Sequence, residues 1–164
     1  GRLVDTIRRL GDLAADHGLK AVVHPHVQTH VETEEEIERL LADAPEVLLC
    51  LDVGHMCVPG TSGDDRDPYA WLRRFGRRAP IVQLQQSDAA GDHHWPFTPE
   101  RNVQGRIEAD DAIDALAGSG ADSVALILEV IPPFEQDDRE VLADLVASVQ
   151  YWRAALARRG FSAG

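Results

Sequence analysis

Four times along this chain an apolar run ends in a polar side chain and gives way to a loop and a helical pattern. The runs are KAVVH, ending at His24, VLLCLD at Asp52, IVQLQ at Gln85 and VALILE at Glu129. A charged or strongly polar group at the end of a buried strand is costly unless it is paired or bound to a metal. One such run constrains little. Four in succession, separated by helices, imply a sheet whose strands all bring their polar tips to one end. The runs are almost wholly apolar, as expected of a parallel sheet covered on both faces, and the alternation with amphipathic helices specifies α/β architecture.

The spacing fills in the elements. Leu3, Ile7, Leu10, Leu13 and Ala14 share one helical face over residues 2–17, and Gly18 ends that helix. Strands are expected over 20–26, 47–52, 80–86 and 123–130. Thr33 and Glu36 form a capping box for a helix reaching Asp43. Asp67 as N-cap with Pro68 at the first helical position opens a helix to Phe75. Further helices are expected over 108–117 and 137–158, the last beyond Pro132-Pro133. Between strand 80–86 and the helix at 108 lies a loop of about twenty residues, longer than a simple connection.

Four strand–helix units are half of an eight-stranded (β/α)8 barrel, which takes about 250 residues. The chain has 164 residues and opens without Met, directly in a helical pattern. The expectation is that residues 1–164 form the C-terminal part of one barrel domain, its strands five to eight. The alternative is a complete small doubly wound domain, which no Gly-rich phosphate loop supports. In such barrels the chemistry sits at the C-terminal ends of the strands, where His24, Asp52, Gln85 and Glu129 fall.

The net charge of −12 argues against a nucleic-acid groove, which needs a basic stripe. The longest apolar runs are far too short to span a membrane. Cys50, in a strand, and Cys57, in the loop beyond it, make a poor disulfide pair and read as reduced thiols of a cytoplasmic protein.

Around the strand tips stand further candidates. His24 and His26, two apart, project to one side of a strand, so one can bind metal and the other substrate, or His26 can be a packed core histidine. His55 follows Asp52 by three residues and faces the same opening. Gln83 and Gln85 share a face, with Gln86 on the other. Amides suit a hydroxyl-rich ligand, and a polar layer inside the barrel explains them equally well. The long loop carries Asp88, His93, His94, Trp95 and Phe97 and reads as a lid. Asp88 is placed to orient a histidine or a hydroxyl. Arg101 and Arg106 are the candidates for a phosphate clamp.

These segments resemble the xylose isomerase-like TIM barrel superfamily of sugar and sugar-phosphate isomerases and epimerases, over essentially the whole chain. LDVGHM is similar to its sixth-strand segment, LEVIPPFE to the eighth, and QLQQSD stands in place of the seventh-strand H-x-x-D motif. HPHVQTHVET resembles the His-rich fifth strand of the inosose-dehydratase-like branch. QQSD with HHWPFT is similar to a subgroup of tetrulose-phosphate (erythritol) metabolism. The resemblance implies a divalent metal (Mn²⁺, Mg²⁺, Co²⁺ or Zn²⁺) held at His24, Asp52, Gln85 and Glu129. Two positions depart from the pattern: His24 stands for the usual Glu and Gln85 for the usual His.

What the resemblance implies about function is metal-assisted proton transfer next to the carbonyl of a short ketose or ketose phosphate. Glu129 and His24 (or His26) would be the two acid/base groups, His55 a further catalytic residue, and His26, Gln83, Asp88, His94 and Arg106 the substrate contacts. The expected partner is a small sugar or sugar phosphate, with a homo-oligomer as the expected assembly. The same residues leave three alternatives open. One is a keto-polyol dehydratase of the inosose-dehydratase type. The second is a zinc-dependent abasic-site endonuclease, opposed by the acidic charge. The third is a non-catalytic sugar-binding barrel.

Overall fold

A computed structural model describes residues 1–58, 60 and 67–161. Its core is a four-stranded, all-parallel sheet in sequential order. The strands are β1 (Val22–Val23), β2 (Leu48–Asp52), β3 (Ile81–Leu84) and β4 (Ala125–Leu128). The helices are α1 (Arg2–Asp16), α2 (Glu34–Asp43), α3 (Ala70–Phe75), α4 (Pro99–Gln104), α5 (Ala109–Gly118) and α6 (Asp138–Arg158). Strand followed by helix, with each strand beside its predecessor, is the winding of a (β/α) barrel, and these are four of the eight strands such a barrel closes with.

Apolar strand residues on the helix-facing side make the core. Leu49, Leu51, Val82 and Leu84 pack with Ile37, Trp71, Leu72, Ile113 and Trp152 from the helices. Register aligns Cys50 with Ile81, Asp52 with Gln83, and Gln83 with Ile127. The polar tips are therefore neighbours across the sheet.

Several elements differ from their sequence expectation. β1 is two residues long, because the chain after Val23 turns away and His24-Pro25-His26 leave the ladder. β3 stops at Leu84, and Gln86 instead forms an isolated antiparallel bridge to Trp95. Helix α3 begins at Ala70 and not at Pro68. The Asp67 carboxylate accepts the Tyr69 N–H at 2.8 Å, so residues 67–70 form a turn before the helix. The long loop contains a helix of its own, α4, with Thr98 as N-cap and Pro99 in its first turn. The capping box is present as read: the Thr33 side chain accepts the Glu36 N–H while Glu36 accepts the Thr33 N–H. The apolar face of α1 is largely uncovered. Leu3, Leu10 and Leu13 are exposed, and of that helix's side chains only Val4 is buried.

The loop from 87 to 98 is fixed at both ends. The buried Gln86 amide donates to Asn102 Oδ1 and the Ile107 carbonyl and accepts the Ile107 N–H. At the other end Phe97 is buried against Tyr151 and Trp152 of α6, its N–H donating to Ser148 Oγ at 2.8 Å. Among the described residues no helix is long and apolar enough to cross a membrane.

Candidate active site at the strand tips

Asp52 ends β2 completely buried. Its Oδ1 accepts the N–H groups of Gly54 (2.6 Å) and His55 (3.1 Å), so the turn after the strand holds the carboxylate. Glu129 lies just past β4, with its N–H donating to the Leu84 carbonyl. Burial, and then the neighbouring Asp52 carboxylate, push the Glu129 carboxyl up to about 6. Its Oε2 is buried without a hydrogen-bond partner.

His24 lies beside them. Its Nδ1 is 2.9 Å from the Cys50 carbonyl. A carbonyl only accepts, so Nδ1 carries the proton and the lone pair sits on Nε2. That Nε2 is buried without a partner. Burial holds the ring below its ordinary pKa and therefore neutral. Two adjoining carboxyls and an imidazole lone pair, with orphaned acceptor atoms, form an arrangement that a divalent cation would satisfy. By donor type, one imidazole and two carboxylates, His24, Asp52 and Glu129 suit such an ion.

A cluster of histidines continues from there. The His55 ring stacks at 5.2 Å on His24 and meets His26 edge-on at 4.2 Å and His94 at 5.8 Å. His55 is 1% exposed, and its Nε2 is 3.3 Å from Asp92 Oδ1. Burial alone would lower this ring, but Asp92 and Asp52 outweigh it and raise its pKa above the ordinary value. His94 places Nδ1 3.2 Å from the Glu129 carbonyl and Nε2 3.1 Å from Asp92 Oδ2. Burial works against the Asp92 charge, yet His55 and the Gln85 amide hold its carboxyl well below the usual carboxylate range. Among the described residues, the sets whose ligand atoms lie within 4.8 Å of one another, close enough to share a cation, are His24, His26 and His55, and His55, Asp92 and His94.

Gln85 sits between the two carboxylates. Its Nε2 donates to Asp52 Oδ1 (3.2 Å) and Oδ2 (3.3 Å) and to Asp92 Oδ1 (3.1 Å), and its Oε1 accepts the His94 N–H at 2.7 Å. The oxygen that a metal-ligand role requires is thus turned to the loop. The amide cannot flip without setting its oxygen against two carboxylates. His94 takes a left-handed backbone, φ 51°, which aims its N–H at Gln85. Gly54 gives the room: a Cβ there would lie 2.2 Å from Gln85 Cδ.

The structure thus brings together His24, His26, Asp52, His55, Gln85, His94 and Glu129. Gln83 lies two residues earlier on the face of Gln85, with its Oε1 buried and unpartnered. Asp88 stands apart, paired with His93 Nε2 at 2.8 Å and accepting the Ala90 N–H. Arg106 is exposed, and among the described residues its hydrogen bonds run through its backbone, to Ser87 and Tyr69. Arg101 lies over the Trp95 ring at 4.3 Å, with His93 stacked on that ring at 4.3 Å. Asp92 was not singled out by the sequence. The one available signal was a carboxylate two residues before a histidine in a long loop.

A family described as xylose isomerase-like TIM barrel matches residues 1–154. Over 102 residues the chain is 36% identical to D-erythrulose 1-phosphate 3-epimerase of Brucella abortus, a stretch covering 62% of this chain and 33% of that enzyme. Over 60 residues it is 45% identical to inosose dehydratase of Geobacillus thermodenitrificans, covering 35% of this chain and 20% of that enzyme. A solved structure from Rhodospirillum rubrum superposes with a TM-score of 0.74 at 25% identity, over 92% of this chain and 52% of that one. The chain thus spans about half the length of that structure.

Proposed function

The chain belongs to the xylose isomerase-like TIM barrel family, and from that premise we propose that it carries the acid/base half of a sugar isomerase or epimerase. On this reading residues 1–164 are the C-terminal part of one barrel domain. The substrate class is a short ketose or ketose phosphate, in keeping with the similarity to an erythrulose-phosphate epimerase. The observation that carries the reading is the buried Asp52 carboxylate beside Glu129, whose Oε2, like His24 Nε2, is buried without a partner.

His24, Asp52 and Glu129 would hold a divalent metal ion. Such an ion supplies Lewis acidity, which polarises a carbonyl and stabilises charge on its oxygen. The side chains do the rest. Glu129, with a carboxyl tuned to about 6, can take the proton from the carbon next to the carbonyl and return it near neutral pH. Inverting that carbon requires a second proton carrier on the opposite face. His26 is the choice, because His24 is committed by its tautomer to offering a lone pair. Its ring lies 5.4 Å from His24 and 4.2 Å from His55. His55 and His94 line the same opening and would meet substrate oxygens. Gln83 offers an unpaired amide oxygen to a hydroxyl. Asp88 and Arg106 are assigned to an approaching substrate only through movement of their loops.

The test is D-erythrulose 1-phosphate in D₂O, with Mn²⁺ supplied. Deuterium entering at the carbon beside the carbonyl, with inversion and no loss of water, is expected. Glu129→Gln should slow it by about 10²–10⁴-fold, the usual contribution of a positioned acid/base. Full turnover in that variant would end the proposal. The second reading, a keto-polyol dehydratase, is favoured by the 45% identity over 60 residues to an inosose dehydratase. It predicts loss of 18 mass units, one water, from an inosose.

A further inference from the structure

Three histidines crowd one side of the mouth with no carboxylate among them. His24 and His26 flank the buried Pro25, and His55 opens the turn after β2. The Nδ1 atoms of His24 and His26 each lie 2.9 Å from a carbonyl, of Cys50 and of Val27. Carbonyls only accept, so both rings keep their proton there and carry the lone pair at Nε2. The His24 lone pair is buried without a partner, a cost that an ion or a water has to offset. One nitrogen from each of the three rings lies within 4.8 Å of the other two. The backbone under His26 is fixed as well. Its N–H donates to the Val31 carbonyl at 3.0 Å, and its carbonyl accepts the Thr29 N–H and hydroxyl.

We propose that His24, His26 and His55 form a cation site of their own, for an imidazole-seeking divalent ion such as Zn²⁺, Co²⁺ or Ni²⁺. Imidazoles suit these ions, whereas carboxylates suit Mg²⁺ and Mn²⁺. The two sides of the mouth thus sort cations by chemistry. Glu129 acts on His24, and Asp52 and Asp92 on His55, through their charge, so carboxylates around the rings draw a positive ion in. The neighbouring set of His55, Asp92 and His94 has its charge met internally, with Asp92 3.3 Å from His55 Nε2 and 3.1 Å from His94 Nε2. The three-histidine set has no anion of its own. An ion held there engages His24 and His26 together, so it competes with the proton transfer assigned to His26. The site itself does not rest on that assignment.

Zn²⁺ alone is the probe, in a calorimetric titration and in long-range proton–nitrogen NMR spectra of the histidine rings. In the unaltered chain Zn²⁺ should bind and move the Nε2 resonances of His24 and His26 together with one nitrogen of His55. His26→Gln should lower Zn²⁺ affinity by about 10²-fold or more, since a lost ligand costs at least as much as a lost outer partner. His94→Gln and Glu129→Gln, which leave the three rings in place, should stay within about tenfold. Unchanged affinity in His26→Gln overturns the site. A loss in His94→Gln or Glu129→Gln as large as in His26→Gln also overturns it, because the ion then sits on one of the carboxylate-bearing sets. No Zn²⁺ binding by the unaltered chain does the same. His24→Gln removes a second ring and must bring a like loss, so the answer does not hang on the folding of one variant. Retained affinity in His24→Gln counts equally against the site. None of these readouts is turnover, so failure here leaves the deuterium test of the proposed function standing, and failure there leaves this one.

Discussion

At the scale of single residues, space and protonation decide what the site can be. Gly54 and Gly105 are held by the side chains they face: a Cβ on Gly105 would lie 2.1 Å from Gln86 Cδ, as one on Gly54 would crowd Gln85. Gly54→Ala and Gly105→Ala should each lower stability by about 1–3 kcal/mol, the range for overpacking a filled interior, in urea unfolding. No change in the midpoint would show that these glutamines have other places to go. The two cysteines are free thiols in buried positions. Burial pushes Cys50 up to about 11 and Cys57 up to about 12. At pH 8 both stay protonated, so a thiol reagent should react slowly with the native chain and with two equivalents once it is unfolded. One rapid equivalent from the native chain would contradict this burial. The polar strand tips were legible because an apolar run ending in His, Asp or Glu has few explanations. Asp92 and the donor orientation of Gln85 were not. Which way an amide points is set by partners from other elements, and nothing within QLQQSD specifies them.

At the scale of elements, local chemistry wrote the helix starts more clearly than the strand lengths. The Thr33–Glu36 box formed because each side chain completes the other's backbone donor within one turn. Thr33→Ala should cost about 1 kcal/mol of stability. The Glu36 carboxylate accepts the N–H groups of Glu32 and Thr33 and lies below its ordinary value of 4.5. A depressed carboxyl lends stability that is complete above its unfolded pKa and is lost as pH falls. The stability gap between the native chain and Glu36→Gln should therefore be larger at pH 7 than at pH 3. An unchanged gap would place the bond in the unfolded chain as well. The Asp67-Pro68 signal failed because Asp67 uses its carboxylate on Tyr69 in a turn that precedes the helix. β1 was read too long because KAVVH carries a strand composition. Pro25 lacks a donor and the chain turns at His24, which sequence composition alone does not time.

At the scale of the molecule, the parallel α/β winding was legible and the outer surfaces were not. The sheet has free edges at β1 and β4, and apolar side chains stand exposed near them: Leu10 and Leu13 on α1, Ile127 on β4, Leu142 and Val146 on α6. A groove of about 770 Å³ runs beside β4, walled by Leu126, Leu128, Val149 and Phe161. Free parallel edges of this kind pair with whatever strand is available. The 164-residue chain should associate with rising concentration in sedimentation, and Ile127→Lys should reduce it. A monodisperse monomer at every concentration would show that the edges are protected.

The bonds that define the site span long stretches of sequence: 26 residues from His24 to Cys50, 33 from Asp52 to Gln85 and 35 from His94 to Glu129. None can close while a strand–helix unit between its partners is still unfolded. The helices, capped by near neighbours, are free to form early, but the polar mouth waits for the slowest loop closures. In a refolding time course helical signal should therefore lead, and the ability to capture a metal ion should arrive last.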